Sequence, residues 1–171
     1  MERDAVDVIV EQWRRERPDL DLSAIGVVGR IMRLSLVLGA VARRWSERYG
    51  LGAGEFDVVT ALRRSGPPYA VIPSELADSL LMSRSGMTKR LDRLEGAGLV
   101  RRRLDPADRR SVRVELTDEG RRLIDAVLVE HAANLNRLVS DLADDDRAAL
   151  ERSLRTLLHT AEHDVDAGQN P

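Results

Sequence analysis

The chain has 171 residues, 43% of them apolar, with no cysteine and a formal net charge of −2 at pH 7. That length suits one domain, or one domain with a helical extension, and allows a real core although only five aromatics are present. The missing cysteines exclude disulfides and thiol chemistry. The charges among the first ten residues argue against a signal peptide, and no run of about 18 uncharged apolar residues marks a membrane span. The expectation is a soluble protein of the reducing cytoplasm, with no membrane partner.

Abundant Ala, Leu, Arg and Glu favour a mainly helical chain. Val6, Ile9, Val10 and Trp13 recur on one stripe and predict a helix over Asp4–Arg17, ended by Pro18. A long apolar-rich segment runs from Ser23 to about Tyr49 through Ile31, Leu34, Leu38, Val41 and Trp45, and Gly50 and Gly52 punctuate its end. Glu55–Arg64 predicts a shorter helix, stopped by Ser65, Gly66, Pro67 and Pro68. Two short helices follow. One opens on Pro73 and runs to about Leu81; the other is capped by Ser83 and ends at Gly96 or Gly98.

Val112, Val114 and Leu116 alternate as a strand, with Leu99–Arg103 as partner and Asp105–Arg110 as the turn between them. Thr117 caps a long helix carrying Leu123, Ile124, Val127, Leu128, Leu135 and Leu138 at helical spacing, and Asp118 and Glu119 suit its positive N-terminus. Asp144, Asp145 and Asp146 open a last helix through Leu150, Leu154, Leu157 and Leu158, and the tail from Asp164 is expected to fray. Long apolar helices at both ends exceed what one small lobe can cover, which points to a helical dimer interface.

Positive charge is concentrated. Between Arg84 and Arg122 there are twelve Lys and Arg against seven Asp and Glu, whereas the rest carries fifteen against twenty-two. In the helix after Ser83, Met87, Leu91 and Leu94 mark the inward face, leaving Arg84, Ser85, Thr88 and Lys89 largely outside it. A major-groove reader needs this: donors for guanine edges and phosphates on a helix narrow enough to enter. An ordinary amphipathic surface helix has the same pattern.

The ribbon that follows sharpens the reading. Arg109 or Arg110 at its tip suits the minor groove, whose negative potential attracts guanidinium groups. Asp105 can pair with Arg109 across the turn and hold the loop, or simply serve turn chemistry. Arg101, Arg102, Arg103 and Arg113 are candidates for salt-dependent phosphate contacts.

The run PSELADSLLMSRSGMTKRLDRLEGAGLVRRRLDPADRRSVRVELTDEG resembles the winged helix-turn-helix of the MarR-type (multiple antibiotic resistance) regulators. Its specific part is Asp105-x-x-x-Arg109-Arg110 followed by Val114-x-Leu116-Thr117-x-x-Gly120. The resemblance implies a mainly α fold, with a winged helix-turn-helix lobe at about 54–116 and a two-stranded β wing. It further implies dimerisation helices over 23–49 and 117–163, an N-terminal helical extension over 1–22 and a disordered tail over 164–171. The expected protein is a homodimer that sets two winged lobes on double-stranded operator DNA, not an enzyme, and without a cofactor. Lys89 stands where an uncharged polar residue is usual and Arg101 where an acid often sits, which bears on the DNA sequence preferred.

A second set of residues is similar to the urate-responsive subgroup, whose extra N-terminal helix carries a tryptophan. These are the run from Trp13 to Asp21, Gly29-Arg30-Ile31, Glu55-Phe56-Asp57, and the run from Leu62 to Pro68. That resemblance implies ligand-sensing roles for Trp13, Asp57, Arg90 and Arg102. The chemistry is reasonable: an arginine can bind an anionic planar heterocycle through paired hydrogen bonds, and an indole can stack on it or donate its N–H. Taken singly, Trp13 also reads as a packing anchor, Asp57 and Arg90 as a structural ion pair, and Arg102 as a phosphate contact.

The reading is a dimeric repressor released from a palindromic operator by urate or a related purine-derived anion, with half-sites about 10 bp apart. Three alternatives are a MarR-type regulator of phenolic or other aromatic acids, an architectural DNA-binding protein with no ligand, and a helical interaction module. His159 and His163 share a helix face and could chelate zinc beside Glu162, but exposed histidines near a polar C-terminus are far commoner, and no metal is expected. No phosphate-binding loop or nucleophile motif is present.

Overall fold

The computed structural model describes residues 2–105, 108 and 110–168, with backbone alone at 53 and 165–168. It divides into two compact units, Met1–Arg122 and Leu123–Pro171. In the first, α1 (Ala5–Glu16) opens on a capping box: the Asp4 carboxylate accepts from the backbone N–H of Val6 and Asp7, and the Asp7 carboxylate accepts from that of Asp4. The helix stops one residue short of Arg17, because the residue before a proline avoids the helical region.

A clamp ties α1 to α2 (Ile25–Glu47). Arg30 donates to Asp4 at 2.8 Å and to Asp7 at 2.6 Å, while Val6, buried, rests where Gly29 leaves room. A Cβ at Gly29 would come within 3.2 Å of Val6 Cγ1, a tight approach that would make Val6 shift slightly. The Gly29-Arg30 pair thereby docks α1 on α2. α2 is long and apolar enough to cross a membrane by length and composition. Arg30 and Arg33 interrupt its apolar run.

The core of this unit sits around α3 (Ala53–Arg64), α4 (Pro73–Ser79) and α5 (Arg84–Gly96). Val58, Val59 and Leu62 from α3, Leu76 and Ala77 from α4, and Met87, Leu91 and Leu94 from α5 are all buried. Each such aliphatic side chain contributes about 1.5–3 kcal/mol on burial. Trp45 closes one end, edge-on to Phe56 with ring centroids 5.1 Å apart. A three-stranded antiparallel sheet of order β1-β3-β2 completes the lobe, built from β1 (Ala70–Val71), β2 (Val100–Leu104) and β3 (Val112–Leu116). The sequence predicts β2 and β3 as a two-stranded ribbon; β1 adds two residues against Val114 and Glu115 of β3.

The start of α6 (Asp118–Leu138) is fixed to this sheet. Thr117 Oγ1 donates to the Gly98 carbonyl at 2.7 Å and accepts from Gly120 N–H at 3.0 Å. A Cβ at Gly120 would overlap the Leu99 carbonyl oxygen, which is why glycine stands there.

The second unit holds the rest of α6 and α7 (Asp144–Gly168). Leu135, Leu138, Leu150, Leu154, Leu157 and Leu158 are exposed in the single chain. α7 runs to Gly168, and a glycine suits that helix end.

Candidate nucleic-acid interface

α4 and α5 form a helix-turn-helix. Ser83 caps α5, its Oγ accepting from Gly86 N–H at 3.1 Å. Because Met87, Leu91 and Leu94 face the core, Arg84, Ser85, Thr88 and Lys89 are left exposed along the opposite side. The structure thus places all four DNA-reading candidates on one solvent-facing helix surface. Thr88 Oγ1 donates to the Arg84 carbonyl at 3.0 Å, so its methyl and Oγ1 hold a fixed direction.

Arg90 behaves differently. It is half-buried, donates to the Gly86 carbonyl at 3.0 Å, and lays its guanidinium across Gly54 in the first turn of α3. A Cβ at Gly54 would overlap that guanidinium and push it away. One turn further along α5, Arg93 pairs with Glu55 at 2.5 Å, and Glu55 also accepts from the backbone N–H of Gly52. The first turn of α3 therefore holds α5 at two points. Sequence reasoning missed this latch. Its one signal was the Arg90/Arg93 spacing of three, which puts both on the same helix face.

The wing is an alternating ribbon. Its register pairs Arg101 with Glu115, Arg102 with Val114, and Arg103 with Arg113. Arg101, Arg103, Arg113 and Glu115 therefore share the outer face, whereas Val100, Val114 and Leu116 face the core with Arg102 beside them. On the outer face Glu115 accepts from both Arg101 and Arg103, the latter at 2.9 Å. On the inner face Arg102 forks between Asp92 at 2.6 Å and Glu95 at 2.5 Å, both on α5. Burial works against the charge on Arg102, but the hydrogen bonds to Asp92 and Glu95 outweigh it and raise its pKa above the ordinary value.

Asp105 is buried, and its carboxylate pairs with Arg113 at 2.5 Å; the expected pairing with Arg109 lies outside the described residues. Asp105 N–H also donates to the Ser111 carbonyl at 2.9 Å, closing the base of the turn. The hydrogen bond to Asp105 raises the Arg113 pKa. Arg110 is exposed at the turn, with its backbone N–H on the Asp108 carboxylate at 3.0 Å. The four arginines expected on phosphates (101, 102, 103 and 113) are thus each engaged by carboxylates of the chain itself.

The ligand candidates lie on four different elements, α1, α3, α5 and β2. Asp57 is exposed on α3, one turn past Gly54, near enough along the helix to share a side with the Arg90 contact. Trp13 is 46% exposed on α1, beside a hollow lined by Gln12, Arg15 and Glu16 of the same helix. Arg102 is committed to α5. Among the described residues no cluster of three or more His, Asp or Glu could hold a metal; His159 and His163 stack edge-on with ring centroids 4.6 Å apart.

A helix-turn-helix followed by a two-stranded basic ribbon and framed by long helices defines a winged-helix DNA-binding protein. Comparison with known proteins makes the class specific. The model of the MarR family matches residues 49–111. The transcriptional regulator PecS of Dickeya dadantii (strain 3937) is 43% identical over 149 residues, which cover 87% of this chain and 90% of PecS. A mutant MarR from E. coli, solved in complex with operator DNA, is 27% identical over 81% of this chain and 99% of that one, with a TM-score of 0.68. AbsC of Streptomyces coelicolor shares the fold at a TM-score of 0.75 and 22% identity, covering 84% of this chain and 97% of its own. The chain belongs to the MarR family of winged-helix transcription regulators. Like its relatives it is a DNA-binding regulator and not an enzyme.

Proposed function

We propose that the protein is a homodimeric repressor that leaves a palindromic operator when urate or a related purine-derived anion binds. The observation that carries the DNA half is the exposed row Arg84, Ser85, Thr88 and Lys89 on α5, with Arg110 on the wing. Homodimerisation is supported by apolar faces with nothing over them in the single chain. Val27, Val28, Ile31, Met32, Leu36, Val37 and Val41 of α2 are exposed, as are the leucines of α7. A protein interface gives the apolar length of α2 a use without a membrane.

The effector half rests on Trp13, Asp57, Arg90 and Arg102. Arg90 is the easiest of the cations to recruit, because it holds a backbone carbonyl rather than a carboxylate and is packed against Gly54. An anion beside Asp57 would repel that carboxylate and draw Arg90 off α3, loosening one of the two points that position α5. Arg102 is harder to recruit, since two carboxylates within 2.6 Å must be displaced. Coupling of about 1–3 kcal/mol would weaken operator binding roughly 5–150-fold.

The test uses DNA selected from random duplexes and measures affinity by fluorescence anisotropy, with urate titrated into wild type, Trp13→Phe and Asp57→Ala. Release by urate in the wild type and a blunted response in Asp57→Ala support the reading. Selective DNA binding that is indifferent to urate but relieved by a phenolate overturns the effector assignment.

A further inference from the structure

Leu81 occupies the turn between α4 and α5. The turn is a Schellman closure: Met82 N–H donates to the Ala77 carbonyl at 2.8 Å and Leu81 N–H to that of Asp78 at 3.2 Å. This closure puts Leu81 in the left-handed region, with φ of +51°. Glycine or asparagine is the residue that such a position favours. The side chain is also 97% exposed, and among the described large apolar residues that are exposed none reaches this value. Backbone geometry disfavours a leucine here, and so does water. Among the described residues, no contact that buries the Leu81 side chain offsets either cost.

A contact with another molecule would offset both costs. Leu81 lies three residues before Arg84 and two before the Ser83 cap, at the mouth of the helix whose first turn exposes Arg84 and Ser85. Leu81 thus stands beside the first turn of α5, fully open to whatever that turn meets. The edges of a DNA major groove carry one kind of apolar group, the thymine C5-methyl. We infer that Leu81 is a specificity-determining residue that covers a thymine methyl in each half-site. This rests on the reading of α5 as the DNA-reading helix.

The experiment compares wild type, Leu81→Gly, Leu81→Asn and Leu81→Met on the selected operator, once with thymine and once with every thymine replaced by uracil, which keeps pairing and removes the methyl. Thermal unfolding is recorded in parallel. Glycine and asparagine suit the left-handed turn, so both variants should melt at or above the wild-type temperature. Both should nevertheless bind the thymine operator more weakly, by about 4-fold for one methyl-sized contact and about 15-fold for two half-sites. Uracil should cost the wild type more than it costs these variants, by the same factor, and Leu81→Met should retain the thymine preference.

Unchanged affinity in Leu81→Gly and Leu81→Asn overturns the inference. An equal uracil penalty in all four proteins also overturns it, since the contact would then be to sugar carbon. A lowered melting temperature in both variants overturns it by giving Leu81 a role inside the fold. If the wild type binds no duplex selectively, the DNA reading itself falls, an outcome distinct from the other three.

Discussion

Removing the charge of Glu115 tests how much of the wing meets DNA. Its side chain is only 15% exposed and accepts from Arg101 and Arg103, whose own side chains are 51% and 59% exposed. Glu115→Gln keeps the shape but removes the charge and one acceptor oxygen, releasing two guanidinium groups from one carboxylate. If one of them then takes a phosphate, each chain gains about one contact and the proposed dimer about two. The slope of log affinity against log salt, about −0.9 per phosphate, should steepen by about 1.8. Between 50 and 200 mM salt that is an additional loss of about 12-fold, with tighter binding than wild type at the low end. Stability should change by about 1 kcal/mol, because the two arginines are exposed although the carboxylate is mostly covered. Anisotropy titrations at four salt concentrations read the slope directly. A slope equal to that of wild type would refute the reasoning and confine the electrostatic contact to α5 and the turn at Arg110.

Two further outcomes follow from the geometry. Gly120→Ala would drive a Cβ into the Leu99 carbonyl oxygen and to 2.9 Å from its carbon, both backbone atoms that cannot swing aside. Lifting α6 off the Thr117–Gly98 bond should cost about 2–4 kcal/mol, in the upper range for single substitutions, and lower Tm by roughly 5–15 °C; a shift under 2 °C would contradict the close approach. The α1 clamp should be acid-sensitive. Hydrogen bonds from the backbone of the capping box and then from Arg30 hold Asp4 and Asp7 below the usual carboxylate range. A lowered folded pKa gives attachment that is complete above the unfolded Asp value and lost as pH falls through the folded one, hence below about pH 4. Hydrogen exchange across residues 5–16 should accelerate in that window, and Arg30→Gln should move the onset to higher pH; an onset unmoved in that variant would show that the clamp does not hold α1.

The helices were legible because their signals are local. Ser83 and Thr117 cap the helices expected of them, and Met87, Leu91 and Leu94 lie buried at the spacing that marked them as inward. Strand β1 was not legible: Ala70 and Val71 carry no alternation, and they form a strand only because β3 offers a free edge. Of the site, residue types could be read but partners could not. Sequence spacing did not offer Arg113 to Asp105: the antiparallel register sets Leu104 opposite Val112 and brings Arg113 diagonally across. A run of three arginines likewise hides Glu115, which lies twelve or more residues away in sequence but directly opposite Arg101 in the sheet.

These pairings change what the basic segment can do. Arg93, Arg101, Arg102, Arg103 and Arg113 each hold a carboxylate of the same chain. Among the described residues of α5 and the wing, Arg84, Lys89, Arg90 and Arg110 are the basic side chains with no such partner, and Arg90 is turned toward α3. The paired arginines fix shape: Arg102 sets the wing against α5, and Arg113 holds the turn through Asp105. Exposed cations left for DNA are then few and lie at the reading surface itself. Sequence-independent attraction scales with the phosphates neutralised, so fewer free charges weaken non-specific binding more than they weaken base contacts. A chain of net charge −2 can therefore read DNA by spending its arginines on geometry, which raises the ratio of specific to non-specific affinity rather than the affinity alone.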